Sequence, residues 1–247
     1  MARLEEIVKL VSKYKKIEVN KLAKQLNVSK VTIRKDLDKL VDRGILHRKH
    51  GYAVVNSIDD LNYRLAINYE LKRKIAKEAA KEVTDNDIVM IESGSTCALL
   101  AEELAFNRKN VTIITNSNFI ASYIRKSAHV NLIMLGGEYQ KQSQVNIGVL
   151  TEQALSNFYV DKLFIGIDGI DVKRGFTSQD LSRSETARAM ADHTDEVIIL
   201  TDSSKFGNKG VITEFQFSEV AKVYTDSKID SQQKKILTNH SVDLVVV

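Results

Sequence analysis

The sequence predicts an α/β protein with a small, mostly helical N-terminal domain and a larger domain built on a mainly parallel sheet. Three observations lead to this prediction. Residues 20–46 have the apolar spacing of two short helices joined by a tight turn. From residue 88 onwards, short β-rich runs alternate with helix-like stretches, the pattern of a parallel sheet covered on both faces. The charge is uneven: residues 1–55 hold 14 Lys and Arg against 6 Asp and Glu, although the whole chain has a formal net charge of only +4.

The first of the paired helices is predicted to begin after Asn20, a suitable N-cap residue. Leu22, Ala23 and Leu26 give this helix one apolar face. Asn27 then suits a tight turn, because asparagine tolerates the left-handed conformation. The residue that follows is apolar, and we expect it to fill the corner between the two helices.

The second helix is predicted to begin at its N-cap, Ser29, and to end at Gly44. Its apolar residues fall at i, i+4, i+7 and i+8, and they are Ile33, Leu37, Leu40 and Val41. Two short helices with such a turn, the second starting with cations and hydroxyl groups, form a helix-turn-helix, whose second helix enters the major groove of DNA. The alternative is an ordinary helical hairpin with a solvated basic face. The predicted DNA contacts on this helix are Ser29, Lys30, Thr32, Arg34 and Lys35.

The residues on either side of this motif complete a winged helix. An apolar stripe predicts a first helix over residues 2–14, followed by a short strand or an extended link at 17–19. After the motif, residues 45–46 and 52–55 can form two short strands about a polar tip. The histidines of that tip have no Cys or carboxylate partners nearby in the sequence, so no metal site is predicted. The tip also carries two cations that we expect near DNA phosphates, which position a protein without specifying sequence: Arg48 and Lys49.

The domain boundaries follow from these patterns. Residues 1–56 are predicted to form the DNA-binding domain, residues 57–74 a linker and the start of a connecting helix, and residues 75–247 a second domain that also mediates oligomerisation. The chain has no 18-residue apolar run and starts with a charged amphipathic pattern, so neither a membrane span nor a signal peptide is predicted. A single cysteine, Cys97, excludes an internal disulfide, which fits a cytoplasmic protein.

The second domain is predicted to contain seven strands with helices between several of them. The β-rich runs lie at 88–91, 111–114, 130–135, 162–167, 196–200, 220–226 and 243–247. The helix-like stretches lie at 96–106, 118–127, 149–157, 183–193 and 231–238. Mainly parallel sheets of this kind bind ligands at the carboxyl ends of their strands.

Small polar residues collect at those strand ends. Several of these loops open a helix, where backbone N–H groups and the helix N-terminus favour an anion. Five such loops on one edge predict a pocket for a small anionic polyol, with Lys205 at a phosphate and Asp168 and Asn116 at hydroxyl groups. Each loop alone is equally well explained by turns and helix caps. The candidate ligand residues in these loops are Ser93, Gly94, Ser95, Thr96, Thr115, Asn116, Ser117, Gly136, Gly137, Asp168, Gly169 and Lys205.

Glu185 completes the candidate ligand residues, because it lies near the start of the helix predicted at 183–193. It can form a carboxylate pair with Asp168, or it can simply favour the dipole of its own helix. Cys97 lies in the first turn of another helix, where a thiol pKa can be lowered. No His or Asn is tied to it by spacing, so we interpret it as a packed small residue and predict no catalytic residues.

The whole chain resembles the DeoR family of transcriptional regulators, with its motifs in the order of that family. They are VNKLAKQLNVSKVTIRKDLDKLVDRGILHRKHG at 19–51, ELK at 70–72, IESGST at 91–96, ITNS at 114–117, LGGE at 135–138, FIGIDGID at 164–171, GFT at 175–177 and DSSKFG at 202–207. The resemblance implies a winged helix followed by a Rossmann-like α/β sensor domain similar to ribose-5-phosphate isomerase. It also implies a non-enzymatic repressor of a sugar or polyol catabolic operon. Its partners would be double-stranded operator DNA, a phosphorylated sugar or polyol effector, and further copies of the chain in a dimer or tetramer; no cofactor is implied.

Two departures from the family pattern affect the predicted sites. The wing tip at 50–53 has one glycine where many members have two, which affects its contacts with DNA. Ala187 stands where many members carry Lys, so a cationic ligand contact from this helix would have to come from Arg188. The alternative function is a sugar-phosphate isomerase that carries a DNA-binding arm. A redox or metal sensor is disfavoured by the single cysteine and the lack of a ligand cluster.

Overall fold

The computed structural model divides into two compact units, residues 1–69 and residues 70–247. It describes residues 2–42, 45–55 and 61–247. The helix end predicted at Gly44 and the domain boundary predicted after residue 56 lie outside these described ranges. Within them, no helix combines the length and the apolar character that crossing a membrane requires.

The N-terminal unit has the winged-helix architecture that the sequence predicts. Its described helices are α1 (Ala2–Tyr14), α2 (Val19–Gln25), α3 (Lys30–Asp42) and α4 (Leu61–Ala66). Its described strands are β1 (Lys16–Glu18), β2 (Leu46–Lys49) and β3 (Tyr52–Val55). The strands pair antiparallel in the order β1-β3-β2, so that β2 and β3 form the wing.

The helix-turn-helix differs from its prediction at the start of α2. The helix begins at Val19, so the predicted N-cap Asn20 lies inside it, and Glu18 precedes it without a side-chain cap. The Val19 N–H donates instead to the carbonyl oxygen of Gly51 at 3.1 Å. The wing therefore satisfies one of the N–H groups that the start of a helix leaves without an intrahelical partner. The turn is as predicted, with Asn27 in the left-handed conformation at a φ of 51°.

The core of the N-terminal unit joins the three helices of its first half to the wing. α4 lies in the predicted linker, yet Tyr63 is buried in this core and Ile67 packs against it. Residues 61–67 therefore contribute to the core of the N-terminal unit. The other buried residues of the core include Ile7, Val8, Val11, Ile17, Leu22, Ile33, Leu37, Leu40, Leu46 and Ala53.

The C-terminal unit alternates strands and helices, as the sequence predicts. Its described helices are α5 (Tyr69–Ala79), α6 (Ser95–Asn107), α7 (Asn118–Ile124), α8 (Val149–Leu155), α9 (Leu181–Ala191) and α10 (Ser231–Asn239). Its described strands are β4 (Ile88–Ile91), β5 (Val111–Thr115), β6 (Val130–Met134), β7 (Glu138–Gln140), β8 (Val145–Ile147), β9 (Val160–Ile165), β10 (Gly169–Asp171), β11 (Gly175–Ser178), β12 (Thr194–Leu200), β13 (Ile212–Phe215), β14 (Lys222–Thr225) and β15 (Asp243–Val246).

The main sheet has seven strands, all parallel, in the order β15-β14-β12-β9-β4-β5-β6. These are the seven predicted strands, and the predicted α/β class with a mainly parallel sheet is confirmed. The chain builds the sheet outward in both directions from the adjacent pair β4 and β9. Doubly wound, Rossmann-like sheets bind ligands at this switch point, outside the carboxyl ends of the strands. We call the space between the loops that begin at Glu92 and at Gly166 the crevice, because the strand order makes it the expected place for a ligand.

Two small antiparallel sheets add to the predicted elements. β7 and β8 form a hairpin, and β10, β11 and β13 form a three-stranded sheet in that order. The main core packs apolar strand residues such as Leu163 and Ile199 against Met190 of α9 and Leu237 of α10. This packing fixes the strand ends and therefore the loops that follow them.

Candidate functional site

The exposed face of α3 carries residues that the sequence predicts to contact DNA. α3 buries Ile33 and Leu37, so its opposite face is turned to solvent. Arg34 and Lys35 are exposed on that face, and Val31, which the prediction omits, is exposed one turn before them. We call residues 31, 34, 35 and 38 the recognition face, because their spacing of i, i+3, i+4 and i+7 places them on one side of the helix.

The two hydroxyl groups at the start of α3 are engaged by the helix itself. Ser29 Oγ accepts the Thr32 N–H at 3.1 Å, and the two hydroxyl oxygens lie 2.9 Å apart. Ser29 is therefore the N-cap of α3, as predicted. Lys30 lies beside this pair and is exposed. Its ammonium group, unlike the two hydroxyls, has no role in capping.

The wing places its two predicted cations in different environments. Lys49 is exposed at the end of β2. Arg48 instead donates from Nη1 to a carboxylate oxygen of Asp38 on α3, and both side chains are partly exposed. Asp38 belongs to the recognition face, so Arg48 reaches that face and is held there by an acidic side chain.

Tyr52 ties the wing to β1. Its hydroxyl donates to Glu18 Oε1 at 2.9 Å, and this hydrogen bond raises the pKa of Tyr52. The Lys16 ammonium group lies 4.1 Å from the centre of the Tyr52 ring. These contacts anchor the strand that presents the wing tip.

A cleft of about 590 Å³ opens at the turn between α2 and α3. Its lining includes two exposed cations, Lys24 and Lys30. Lys24 is absent from the predicted DNA contacts.

In the C-terminal unit, the loops after β4 and β9 approach each other closely at the switch point. A Cβ on Gly94 would lie 3.7 Å from the Gly166 Cα, and Gly94 has a φ of 150° that disfavours other residues. Ser93 is buried just before α6, and Ser95 and Thr96 are buried in its first turn. Ser93 also donates to the buried Glu92 carboxylate.

The loop after β5 brings a second polar group to the same edge of the sheet. Ser117 Oγ accepts the Ile120 N–H at 3.2 Å and caps α7, and Thr115 Oγ1 accepts the Ser117 N–H at 3.1 Å. Asn116 is 1% exposed and donates from Nδ2 to the Asn146 carbonyl oxygen, but its Oδ1 has no hydrogen-bond partner. Of the three predicted residues, Asn116 thus retains a buried acceptor that a ligand hydroxyl can satisfy.

Gly136 and Gly137 lie where the chain leaves β6 for the β7–β8 hairpin. The Gly136 carbonyl oxygen accepts the Thr151 hydroxyl at 2.7 Å. A Cβ on Gly137 would lie 2.0 Å from Thr151 Oγ1, whereas one on Gly136 would meet nothing within 4 Å. The contact with Thr151 of α8 thus explains Gly137 in packing terms, while Gly136 faces open space.

Asp168 lies beyond the end of β9, and its partner is a cation that the sequence prediction missed. Asp168 Oδ2 accepts the Gln179 N–H at 3.1 Å and Nη2 of Arg183 at 3.5 Å. Arg183 is 9% exposed, and its Nε has no hydrogen-bond partner, although it lies 4.0 Å from Asp180 Oδ2. A buried guanidinium with an unused donor is the second orphaned group of this unit that a ligand oxygen can satisfy.

The predicted pair of Asp168 with Glu185 is not formed. Glu185 is exposed, whereas Arg183, Ser184 and Ala187 of the same helix are buried. Two residues span about 200° of a helix, so the face that presents Arg183 to Asp168 turns Glu185 away.

The predicted cationic contribution of Arg188 is also not observed at this edge. Arg188 donates to the Glu214 carbonyl oxygen at 2.6 Å and to Glu219 Oε1 at 3.1 Å. It is thus held on the side of α9 that contacts β13. The cation that α9 offers to the strand ends is Arg183.

Gly169 and Lys205 lie in neighbouring segments, because the Gly207 N–H donates to the Ile170 carbonyl oxygen at 3.3 Å. A Cβ on Gly169 would lie 2.3 Å from the Asn208 carbonyl oxygen, so this glycine serves close backbone packing. Lys205 is half-buried in a 3₁₀ turn, Ser203–Lys205. Asp202 caps this turn and the buried Asp226 accepts the Ser203 N–H at 2.7 Å. These carboxylates are used to hold the turn. In the part of the chain that is described, no three His, Cys, Asp or Glu side chains are grouped to hold a metal ion.

A winged helix joined to a doubly wound α/β unit, with polar groups gathered at the switch point, defines a DNA-binding regulator with a sensor domain. The chain belongs to the DeoR family of transcriptional regulators. A family model described as the DeoR-like helix-turn-helix domain matches residues 3–59, and one described as the DeoR C terminal sensor domain matches residues 67–227.

Full-length relatives agree with this assignment. The chain is 30% identical to a putative aga operon transcriptional repressor of Escherichia coli O157:H7, over 99% of this chain and 93% of that protein. It is 32% identical to a lactose phosphotransferase system repressor of Staphylococcus epidermidis, over 95% of both chains. It is 29% identical to the glycerol-3-phosphate regulon repressor of Escherichia coli K12, over 96% of this chain and 95% of that one. Both units are therefore matched together.

Solved structures with a related fold include a ribose 5-phosphate isomerase from Methanocaldococcus jannaschii. The two chains share 22% identity with a TM-score of 0.42, over 56% of this chain and 55% of the isomerase. A likeness of this size carries no argument about activity.

Proposed function

We propose that this protein represses a sugar or polyol catabolic operon and that a phosphorylated sugar intermediate controls its binding to the operator. The observation that carries the proposal is the set of polar groups at the edge of the sheet where the loops after β4, β5 and β9 emerge. Small buried residues lie at the N-terminus of α6, and two buried polar atoms, Asn116 Oδ1 and Arg183 Nε, have no hydrogen-bond partner. The names of the relatives, which include sugar and glycerol-3-phosphate regulators, support the same class of effector.

The crevice offers two kinds of subsite. The segment from Ser93 to Thr96 presents backbone N–H groups and hydroxyls at a helix N-terminus, which favours a phosphate, and Lys205 adds positive charge. Asp168 is compensated by Arg183, so this side of the crevice has little net charge. A neutral, hydroxyl-bearing chain fits there, with the carboxylate accepting and the guanidinium donating hydrogen bonds.

Control of DNA binding requires only that effector and operator favour different states of the protein. The coupling is then reciprocal: if the effector weakens operator binding, the operator weakens effector binding by the same factor. We expect release of DNA on effector binding, because this relieves repression when the substrate of the operon is present.

Isothermal titration calorimetry with matched pairs of free and phosphorylated sugars tests the effector class. The panel contains sugar phosphates and polyol phosphates, including glycerol 3-phosphate, each beside its unphosphorylated form. We expect binding of at least one phosphorylated member and at least tenfold weaker binding of its free partner. Equal affinity within every pair that binds would contradict the phosphate assignment.

Two variants locate the effector. Lys205→Ala is expected to weaken effector binding at least tenfold through loss of phosphate charge, while operator binding is retained. Arg183→Lys keeps the charge but loses the planar guanidinium, and it is expected to weaken effector binding as well. Arg188→Lys is the matched control on the same helix, since its contacts lead to Glu214 and Glu219. If Arg183→Lys and Arg188→Lys change effector affinity equally, Arg183 is not part of the effector site.

A turnover assay separates the regulator from the isomerase alternative. We expect no interconversion of ribose 5-phosphate or of the bound effector above the uncatalysed rate, with the full chain at micromolar concentration. Turnover that disappears in Lys205→Ala would establish an enzymatic activity instead.

A further inference from the structure

Val31 is an apolar residue in an unusual place. Its side chain is 60% exposed on the recognition face of α3. Among the described side chains of the N-terminal unit, the only other large apolar residue with comparable exposure is Tyr14, and cations lie against the Tyr14 ring. Val31 has no packing role that would explain an apolar residue there.

The helix itself does not call for valine at this position. β-Branched residues lose side-chain freedom in a helix, so alanine, lysine or glutamate would favour α3 more strongly. Solvent exposure of the two methyl groups is also unfavourable compared with their burial. Single exposed apolar residues are common on protein surfaces, so the exposure of Val31 gains its meaning from its place on the recognition face.

The position of Val31 indicates the contact. It lies in the first turn of α3, the part of a recognition helix that meets base edges, and it shares a face with Arg34 and Lys35. The apolar feature that the major groove of DNA presents is the 5-methyl group of thymine. The neighbouring hydroxyls of Ser29 and Thr32 are paired in the helix cap, and Thr32 is less exposed than Val31.

We infer that Val31 contacts the 5-methyl group of one thymine in each operator half-site and thereby specifies thymine there. This inference rests on the proposed contact of α3 with DNA. Arg34 and Lys35 supply charge and hydrogen-bond donors on either side, whereas Val31 excludes bases that lack the methyl group. Each half-site then contains one position at which a thymine is preferred for its methyl group alone.

The test uses the full chain and a duplex that it selects from a random-sequence library. Each thymine of the selected duplex is replaced in turn by deoxyuridine, which removes the methyl group and leaves base pairing intact. We expect one thymine per half-site at which this replacement lowers affinity by about fourfold, the effect of one buried methyl group. In Val31→Ala, binding to the unmodified duplex is expected to weaken by a similar factor, and the deoxyuridine effect at that thymine is expected to vanish.

Two controls separate this inference from the general assignment of α3. Val211→Ala removes a valine of the C-terminal unit that is even more exposed, at 74%, and it is expected to leave both measurements unchanged. Arg34→Ala is expected to weaken binding to every duplex while retaining the deoxyuridine effect. A flat deoxyuridine scan with the wild-type chain, or an undiminished effect in Val31→Ala, would overturn the role of Val31 alone. Failure to select any duplex, or normal binding by Arg34→Ala, would overturn the DNA contact of α3 and the inference with it.

Discussion

At the scale of single residues, the contact between Arg48 and Asp38 sets how much positive charge the N-terminal unit offers to DNA. Asp38→Asn removes the carboxylate from the recognition face and frees the Arg48 guanidinium. We expect tighter, less selective DNA binding, with the slope of log affinity against log salt concentration steeper by about one unit. Fluorescence anisotropy over a salt series measures this slope.

The Arg48→Ala background provides the control for that prediction. There, Asp38→Asn has no guanidinium to release, and the steeper slope should disappear. The free energy of unfolding should change by less than about 1 kcal/mol in each variant, because the side chains of Arg48 and Asp38 are both substantially exposed. A slope that steepens equally in both backgrounds would show that Arg48 does not reach DNA.

Two polar residues of the candidate site, Asn116 and Arg183, differ in how readily the sequence indicates them. Asn116 was predicted because a polar residue directly follows an apolar strand, and strand ends are where such sheets bind ligands. Arg183 was missed because α9 is rich in polar residues, so an arginine there resembles a solvated charge. Its burial depends on Asp168, which arrives from another loop. The local signal was the spacing of Asp180 and Arg183, which suits an ion pair on a helix start.

At the scale of elements, the two glycines after β6 separate a packing role from a ligand role. Gly137→Ala forces a Cβ against Thr151 and strains a φ of 151°, so we expect the free energy of unfolding to fall by about 1–3 kcal/mol. The Cβ added in Gly136→Ala meets no atom within 4 Å, so the free energy of unfolding should be unchanged. If the effector approaches Gly136, this second variant should instead lose effector affinity.

Urea unfolding and calorimetry on both glycine variants decide between these roles. Loss of stability in Gly136→Ala, or none in Gly137→Ala, would contradict the arrangement of this turn. Unchanged effector binding by a stable Gly136→Ala would remove Gly136 from the candidate ligand residues.

The predictability of an element depended on the length of its apolar run. All seven strands of the main sheet were predicted, because buried parallel strands have near-continuous apolar sequences. The β7–β8 hairpin and the β10–β11–β13 sheet were not. Their strands have three or four residues and contain glycine or polar residues, so pairing with neighbours decides their conformation. Asn20 is not the N-cap, because α2 begins one residue earlier, at Val19. The Val19 N–H donates to the carbonyl oxygen of Gly51, which belongs to the wing, a distant part of the sequence.

At the scale of the whole molecule, we expect a dimer or tetramer in solution. Helix-turn-helix proteins bind paired half-sites, because one small module gives limited specificity. Sedimentation velocity at micromolar concentration should therefore give twice or four times the chain mass of 27.8 kDa. A monomer that retains full operator affinity would contradict this expectation.

The N-terminal unit is synthesised before the C-terminal unit, so the two units become complete at different times. Among the described residues, the core of the N-terminal unit is complete once Tyr63 and Ile67 are present. The proposed effector site includes Arg183, which a ribosome working at about 5–20 residues per second adds about 6–23 s later. During that interval the nascent chain has the core of its DNA-binding unit but lacks part of the proposed effector site. If Arg183 binds the effector, we expect newly made protein to respond to it only after this delay.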